Sequence, residues 1–135
     1  MIDLLFFILI FLFLCLIWGF FILKLVKAHK PLAIEKGKKL LHSFTSGGRI
    51  GRIRYTPPFI NLRIYDEFIV IASFKVIILR YEEIDRVEIK KWMDSIPREI
   101  KLVHHKWNAP QRIVIGTNKP NYLKEIIESR LPKNQ

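Results

Sequence analysis

Four histidines and a short acidic cluster are the side chains of this sequence whose chemistry could support catalysis or metal binding. His104 and His105 are adjacent on a predicted strand, so they point to opposite faces and cannot hold one metal ion together. Glu82, Glu83 and Asp85 fall where a strand is predicted to turn, and we expect them to be solvated. The other two histidines, His29 and His42, stand alone in basic surroundings. These patterns predict no catalytic residue and no metal site.

Nucleophilic and phosphate-binding motifs are also missing from the sequence. Cys15 is the single cysteine and lies in an apolar run without a base nearby, so neither an activated thiol nor an internal disulfide is expected. The glycines of Gly47-Gly48-Arg49-Ile50-Gly51 precede a predicted strand, whereas a phosphate-binding loop opens a helix. The sequence therefore predicts no enzymatic activity, no cofactor and no small-molecule substrate.

Most of the positive charge of the chain lies in one segment. The net charge is +11: residues 24–54 contribute +8, residues 55–135 only +4, and Asp3 subtracts one. A polybasic segment beside a bilayer is attracted to anionic headgroups by about 1 kcal/mol per close basic residue. The candidate lipid-contacting residues are Lys24, Lys27, Lys30, Lys36, Lys38, Lys39, Arg49, Arg52 and Arg54. Because the charges beyond residue 54 nearly balance, nucleic acid is not an expected partner.

An apolar run, Leu4–Leu23, precedes the basic segment and contains no charged residue. As a helix it would be roughly 30 Å long, which is the thickness of a bilayer's hydrocarbon core. A signal peptide would need a basic start and a small-residue cleavage site, but Met1-Ile2-Asp3 precedes the run and Lys24 follows it. We therefore predict a transmembrane anchor at 1–26. Since lysines follow it and no basic residue precedes it, the C-terminal domain is expected on the cytoplasmic side of an inner or plasma membrane.

The remaining chain has room for one domain. Residues 27–46 read as a basic juxtamembrane connector, in which Pro31 is expected to end any helical continuation of the anchor. Thr45-Ser46-Gly47-Gly48 predicts a turn that marks the start of the compact domain. We place this domain at 47–131, followed by a tail at 132–135.

Seven short strands and one helix are predicted within the domain. Apolar residues recur with a period of two, and Thr56-Pro57-Pro58 is expected to break the chain after the first strand. The period changes at Leu123, Ile126, Ile127 and Leu131, which predicts an amphipathic helix with Pro120 in its first turn. The predicted strands are Arg49–Tyr55, Phe59–Tyr65, Phe68–Ala72, Lys75–Arg80, Asp85–Lys91, Ile100–His105 and Gln111–Gly116. The expected fold is mainly β: antiparallel strands in a curved sheet or barrel, closed by the C-terminal helix.

Residues 47–131 resemble the bacterial pleckstrin-homology-like (PH-like) domains. The resemblance includes the sequence Leu79-Arg80-Tyr81-Glu82-Glu83-Ile84-Asp85-Arg86-Val87. In that family a similar Tyr-Glu-Glu/Asp-Ile-x-x-Val stretch joins the fourth and fifth strands. Many members are fused to transmembrane helices. Lipid-phosphate-binding members of the wider superfamily carry basic residues around the first loop, where Thr56-Pro57-Pro58 is uncharged. The resemblance therefore implies a fold shared by lipid, peptide and protein binders, but it does not imply phosphoinositide recognition.

Exposed tryptophans could anchor a protein partner, because tryptophan is enriched at binding hot spots. Candidate partner-binding residues are Trp92, Met93 and Ile96, next to a predicted 93–98 loop, and Trp107 in a predicted hairpin. Alternatively, Trp107 folds back over the barrel end. We expect a membrane-tethered, non-enzymatic module that binds another membrane-associated protein. The alternative is binding of an anionic lipid surface, and nucleic-acid binding at the membrane ranks last.

Overall fold

The computed structural model describes residues 1–92 and 96–132, without the side chains of residues 28, 29, 92, 96 and 97. It begins with helix α1, Ile2–His29. The stretch Ile2–Lys27 is long and apolar enough to cross a membrane, and none of it is buried inside the protein. A helix of a soluble core would be mostly buried. The properties of α1 are those of a membrane anchor or a signal sequence.

Seven strands form one antiparallel sheet after this helix, and the order across the sheet is β4-β3-β2-β1-β7-β6-β5. Each strand is therefore antiparallel to its neighbours, as the sequence predicts. The strands are β1 Leu40–Ile50, β2 Ile53–Tyr65, β3 Phe68–Ala72, β4 Val76–Arg80, β5 Ile84–Trp92, β6 Ile96–His104 and β7 Ile113–Gly116.

Helix α2, Pro120–Glu128, packs on β5 and β6. Pro120 occupies its first turn, where its missing N–H costs no hydrogen bond. Leu123 and Ile127 are buried in the core of the sheet. Just beyond the helix, Arg130 pairs with Asp66 in the β2–β3 turn at 2.9 Å, which ties the C-terminal end of the domain to its first half. The predicted closing helix is confirmed.

The two faces of β2 and β3 are both covered. Ile60, Leu62 and Ile64 point into the main core, whereas Tyr65 and Val70 belong to a second apolar cluster on the other face. Leu32, from the segment 30–39 between α1 and β1, packs against this second cluster. We call residues 30–39 the linking segment. Its presence explains why every residue of Phe68–Ala72 is buried, since a strand covered on both sides needs no polar face.

The predicted turn at Thr45–Gly48 is wrong, because β1 begins at Leu40 and runs through it. These glycines are required by close packing of the backbone. A Cβ on Gly47 would lie 2.6 Å from the Tyr55 carbonyl oxygen, and one on Gly48 would overlap the carbonyl oxygen of Val114. Only glycine permits β1 to approach both neighbours so closely.

The predicted first strand, Arg49–Tyr55, is a hairpin. Gly51 has a φ of +62° and turns the chain between β1 and β2. The predicted break at Thr56-Pro57-Pro58 is also wrong, since β2 continues through it. The register passes from Tyr55 opposite Gly48 to Ile60 opposite Ser46, so the prolines lie in a bulge where a missing N–H costs no ladder bond.

The predicted loop at 93–98 is too long at its C-terminal end, because β6 already begins at Ile96.

Candidate functional site

Among the aromatic side chains of the sheet domain that the structure describes, Trp107 is the most exposed, with 91% of its surface accessible. It lies in the loop 105–112 that joins β6 to β7, a hairpin that the sequence predicts. This exposure contradicts the alternative that Trp107 folds back over the barrel end. An apolar ring of this size, left in water by its own domain, is the kind of residue that anchors binding partners.

The loop that carries Trp107 is held from inside by one buried histidine. His104 Nδ1 accepts a hydrogen bond from the Lys106 backbone N–H at 3.1 Å, and its Nε2 lies 2.7 Å from the Pro110 carbonyl oxygen. Because Nδ1 is the acceptor, Nε2 carries the proton and donates to Pro110. The neutral ring therefore ties the two ends of the loop together across Trp107.

The same loop is also attached to neighbouring elements. Lys106 Nζ donates to the Ile78 carbonyl oxygen of β4 at 2.7 Å. The His105 N–H donates to the Glu83 carbonyl oxygen at 3.0 Å, and its Nδ1 lies 2.9 Å from an Asp85 carboxylate oxygen. Ala109 packs against the main core. These contacts hold the backbone on both sides of Trp107, so little ordering entropy would be lost when its ring is buried by a partner.

The side chains of the other three predicted partner-binding residues are not described by the structure. Met93 is outside the described residues, as are the side chains of Trp92 and Ile96. Their clustering with Trp107 on one surface stays a prediction.

An aromatic junction connects α1 to the sheet domain. We use this name for Phe21, Tyr55, Phe59 and Phe74. The Phe21 ring centroid lies 6.2 Å from that of Phe59 and 6.1 Å from that of Phe74, and Phe74 lies 5.7 Å from Tyr55. Phe21 belongs to the apolar stretch Ile2–Lys27. The β3–β4 turn therefore lies beside the last apolar turns of α1.

The lysines that the sequence groups together have different surroundings. Lys24 Nζ lies 5.5 Å from the centre of the Phe20 ring, and Lys38 pairs with Glu67 in the β2–β3 turn at 2.8 Å. The side chains of Lys27, Lys30, Lys36 and Lys39 are exposed. Lys38 is thus partly neutralised by the domain, whereas Lys27, Lys30, Lys36 and Lys39 form no ion pair with any acid of the described residues and can meet solvent or headgroups.

A buried polar cluster attaches the linking segment to β2. Glu35, in a 3-10 turn at Ala33–Glu35, is only 4% exposed, and Arg63 is 6% exposed. Glu35 Oε1 accepts from Arg63 Nε at 2.5 Å and from the Tyr65 hydroxyl at 2.7 Å. Its Oε2 accepts from Arg63 Nη2 at 3.0 Å and from the Leu32 N–H, while Arg63 Nη1 donates to Asn61 Oδ1 at 2.6 Å. The carboxylate thus has four donors.

These donors decide the ionisation of the cluster. Burial of Glu35 opposes its charge, but the hydrogen bonds from Arg63, the Leu32 N–H and Tyr65 outweigh burial and lower the pKa of the carboxyl below its usual 4.5. Burial and the bond to Glu35 raise the pKa of the Tyr65 hydroxyl to about 12. The cluster is therefore a charged carboxylate with neutral and cationic donors around it. Sequence reasoning missed it, although Glu35 is the single acid among residues 24–54.

The arginines that the sequence predicts to contact lipid lie on a different surface from the lysines. Arg49 and Arg54 face each other across the β1–β2 hairpin and line a cleft of about 500 Å³ on the sheet, together with Lys90 and Arg112. Arg52 is exposed in the turn and does not line this cleft. The sequence did not indicate Lys90 or Arg112, because only the tertiary fold brings β5 and the residue before β7 to the cleft that β1 and β2 line.

Within residues 1–92 and 96–132, no group of three His, Cys, Asp or Glu side chains could hold a metal ion. His104 is engaged on both ring nitrogens by the backbone. The nearby pair of His105 and Asp85 is exposed and holds the loop next to Trp107.

No family model and no curated protein matches this chain. Among solved structures, the chain is similar to the crystal structure of the C-terminal domain of an unknown protein from Leishmania infantum. The TM-score is 0.55 at 16% sequence identity, and the match covers 70% of this chain and 84% of that one. At this identity the likeness concerns the fold alone. It supports the architecture of a β-sheet domain with a C-terminal helix.

Proposed function

We propose that this chain is a membrane-tethered, non-enzymatic interaction module of the PH-like type, which binds another membrane-associated protein at the cytoplasmic face. In this proposal α1 is a single-pass anchor in an inner or plasma membrane. The seven-stranded antiparallel sheet with its closing helix supports the PH-like assignment. The lysines in the last turns of α1 and directly after it support the cytoplasmic orientation.

The observation that carries the proposal is the exposure of Trp107 on a loop tied by His104 and Lys106. A tryptophan in a preorganised loop presents a large apolar surface without the entropy cost of ordering a flexible segment. Truncating such an anchor in a protein interface typically costs about 2 kcal/mol or more of binding free energy. Tethering confines the module and its partner to one membrane surface, which raises their effective concentration.

Site-specific photocrosslinking of the full-length chain in native membranes tests this function. A photoreactive residue replaces the exposed Asn108, next to Trp107, and a control replaces the exposed Asn121 on α2. We expect one dominant protein adduct from position 108, its loss in a Trp107→Ala background, and no such adduct from position 121. Adducts to lipid alone, or a protein adduct that survives Trp107→Ala, would contradict the proposal.

Binding of an anionic lipid surface is a second candidate, and the aromatic junction favours it. Because Phe21 lies in the apolar stretch of α1 and contacts Phe74, an anchored α1 would bring the β3–β4 turn close to the headgroups. Residues 51–54 and 73–76 contain two arginines, one lysine and no acid, while Ile53, Phe74 and Val76 are exposed. Apolar tips surrounded by cations suit an anionic interface.

Depth measurement in reconstituted bilayers tests this candidate. A spin label at Phe74→Cys, in a Cys15→Ser background, is compared with a label at Asn121→Cys on α2. We expect the label at 74 to be accessible to oxygen and shielded from a polar nickel chelate, with a stronger effect in anionic than in neutral bilayers. Equal accessibility of both labels to the chelate would rule out contact of this turn with lipid.

A further inference from the structure

The edge of β1 that faces β7 is only partly paired. On its other edge, β1 pairs with β2 from Leu40 to Ile50. On this edge, β7 pairs with Gly48–Ile50, and no other described strand lies there. Alternate residues of a strand direct their N–H and C=O groups to the same edge. Along Leu40–Ser46, which we call the open edge, these groups therefore have no strand partner within the described residues.

A groove lies beside the open edge, where the chain leaves β7 for α2. Its volume is about 500 Å³, which is within the range of ligand clefts. The groove is lined by residues 116–119 and by four residues of β1, which are His42, Phe44, Thr45 and Ser46. Ser46 Oγ donates to the Gly116 carbonyl oxygen at 2.5 Å, at the point where β7 ends. Beyond this bond, the groove leaves space next to the open edge for an extended segment.

The two outermost strands of the sheet are protected against pairing, whereas the open edge is not. On β4, Lys106 Nζ donates to the Ile78 carbonyl oxygen at 2.7 Å. The Arg80 N–H of the same strand donates to a Glu83 carboxylate oxygen at 3.0 Å, and β5 contains five charged residues. Charges and covered backbone groups are the usual protection of an exposed strand, but Leu40–Ser46 contains no charged residue and no proline.

The chain segments on both sides of the groove are basic. Residues 36–46 and 116–119 contain four lysines and no Asp or Glu. Lys38 pairs with Glu67, whereas Lys36, Lys39 and Lys119 are exposed and make no ion pair within the described part of the chain. Charge complementarity therefore favours an acidic occupant. A second copy of this chain would bring the same lysines to the edge, which disfavours pairing between copies.

We propose that the open edge binds an extended, acidic segment of a partner protein, which adds to the sheet as a strand beside β1. Main-chain hydrogen bonds to the edge supply affinity, and the lysines select acidic side chains. The loop that carries Trp107 meets the opposite end of β1, where the Gly51 N–H donates to the Arg112 carbonyl oxygen at 2.7 Å. This surface is therefore separate from Trp107, and either proposal can fail without the other.

Selection from a phage-displayed library of random nine-residue peptides tests the surface. The bait is the full-length chain in phosphatidylcholine nanodiscs, and phages that bind a folded Thr45→Glu variant are removed first. We expect an acid-rich peptide without proline that protects the backbone amides of Leu40–Ser46 from hydrogen exchange. Failure to enrich any peptide, or enrichment without an excess of acidic residues, would overturn the proposal. A peptide that needs Trp107 and leaves β1 unprotected would support the Trp107 site and overturn this one.

The contribution of charge is measured with the synthesised peptide by fluorescence anisotropy. Lys119→Glu should weaken its affinity about tenfold or more, because it places a carboxylate in the groove against an acidic segment. The matched control is Lys75→Glu, which changes an exposed lysine in the β3–β4 turn and should alter the affinity less than about twofold. Equal effects of the two variants would overturn the assignment to this groove. Circular dichroism verifies that each variant retains the sheet.

The contribution of the backbone is measured with N-methylated forms of the same peptide. A strand added at an edge directs only alternate N–H groups to its neighbour, and the others face solvent. N-methylation of one alternating set of residues should therefore abolish binding, whereas N-methylation of the other set should change the affinity less than about threefold. Equal losses for both sets, or no loss for either, would overturn the addition of a strand to β1.

Discussion

Glu35 accepts two hydrogen bonds from the guanidinium of Arg63, although the two residues are 28 positions apart in the chain. The pair joins the linking segment to the middle of β2, on the face of the sheet away from the main core. Together with the contact of Phe21 with Phe59, it attaches the chain to the domain at two places on the way from α1 to β1.

Removing this carboxylate should destabilise the domain. We expect Glu35→Gln to lower the free energy of unfolding by about 3–5 kcal/mol, because a buried guanidinium is left without its counter-charge. Denaturant unfolding of the full-length chain in detergent, followed by circular dichroism, measures the change. The matched control is Glu67→Gln, which breaks the more exposed pair with Lys38 and should cost no more than about 1 kcal/mol. Equal losses in the two variants would contradict the role of burial.

The same carboxylate predicts a dependence of stability on acid. The pKa of Glu35 is lower in the folded chain than its usual 4.5, so the folded state binds fewer protons than the unfolded state in this range. The stabilisation is therefore fully present above pH 4.5 and is lost as the pH falls through the folded pKa. Unfolding measured in steps below pH 5 should show a steeper decline for the wild type than for Glu35→Gln. Parallel curves would contradict this assignment.

The hydroxyls of two tyrosines should ionise at a higher pH than that of an ordinary tyrosine. Burial raises the pKa of Tyr65 and of Tyr81 to about 12, and their hydroxyls donate to Glu35 and to the Tyr65 carbonyl oxygen respectively. Since both folded pKa values lie above the usual 10, their stabilisation is present below pH 10 and is lost as the pH rises toward 12. Tyrosinate absorbance should show two late phenols in the wild type and one in Tyr65→Phe. Identical titrations would refute the assignment to Tyr65.

Gly48 should tolerate no side chain. Its Cβ would overlap the Val114 carbonyl oxygen, which is backbone and cannot rotate away. We expect Gly48→Ala to lower the free energy of unfolding by about 1–3 kcal/mol or more through overpacking. Gly19→Ala is the control, because nothing lies within 4 Å of a Cβ there, and it should leave the stability of the sheet domain unchanged.

Substitutions of Trp107 and His104 should distinguish an effect on partner binding from an effect on the stability of the fold. Trp107→Ala should alter the free energy of unfolding by less than about 0.5 kcal/mol, since the ring is exposed. His104→Phe leaves the Lys106 N–H and the Pro110 carbonyl without their partner and should cost about 1–3 kcal/mol. It should also weaken crosslinking from position 108 while Trp107 is still present. Full crosslinking in folded His104→Phe would show that the loop needs no such support.

Local patterns accounted for the elements whose signals are contained within a few residues. The alternation in Phe59–Tyr65 and in Asp85–Lys91, and the 3.6-residue spacing of Leu123 and Ile127, are consequences of strand and helix geometry, and the structure has these elements. The turn predicted from Gly47 and Gly48 was wrong, because glycine is equally typical of a turn and of a close approach between two backbones. The break predicted at Pro57-Pro58 was also wrong, because a bulge removes the need for an N–H there.

By itself, the sequence determined the long apolar helix, the seven-stranded antiparallel sheet and the closing helix, because these depend on the order and period of apolar residues. The tertiary structure alone decided which polar residues meet. Glu35 pairs with Arg63, and Arg49 comes to line the same cleft as Arg112, only after β2 and β7 have taken their places on either side of β1. Contacts of this kind depend on chain segments that are distant in sequence, and the hydrophobic period carries no information about them. The exposure of Trp107 has the same origin, since it follows from the bonds that His104 and Lys106 make to other parts of the fold.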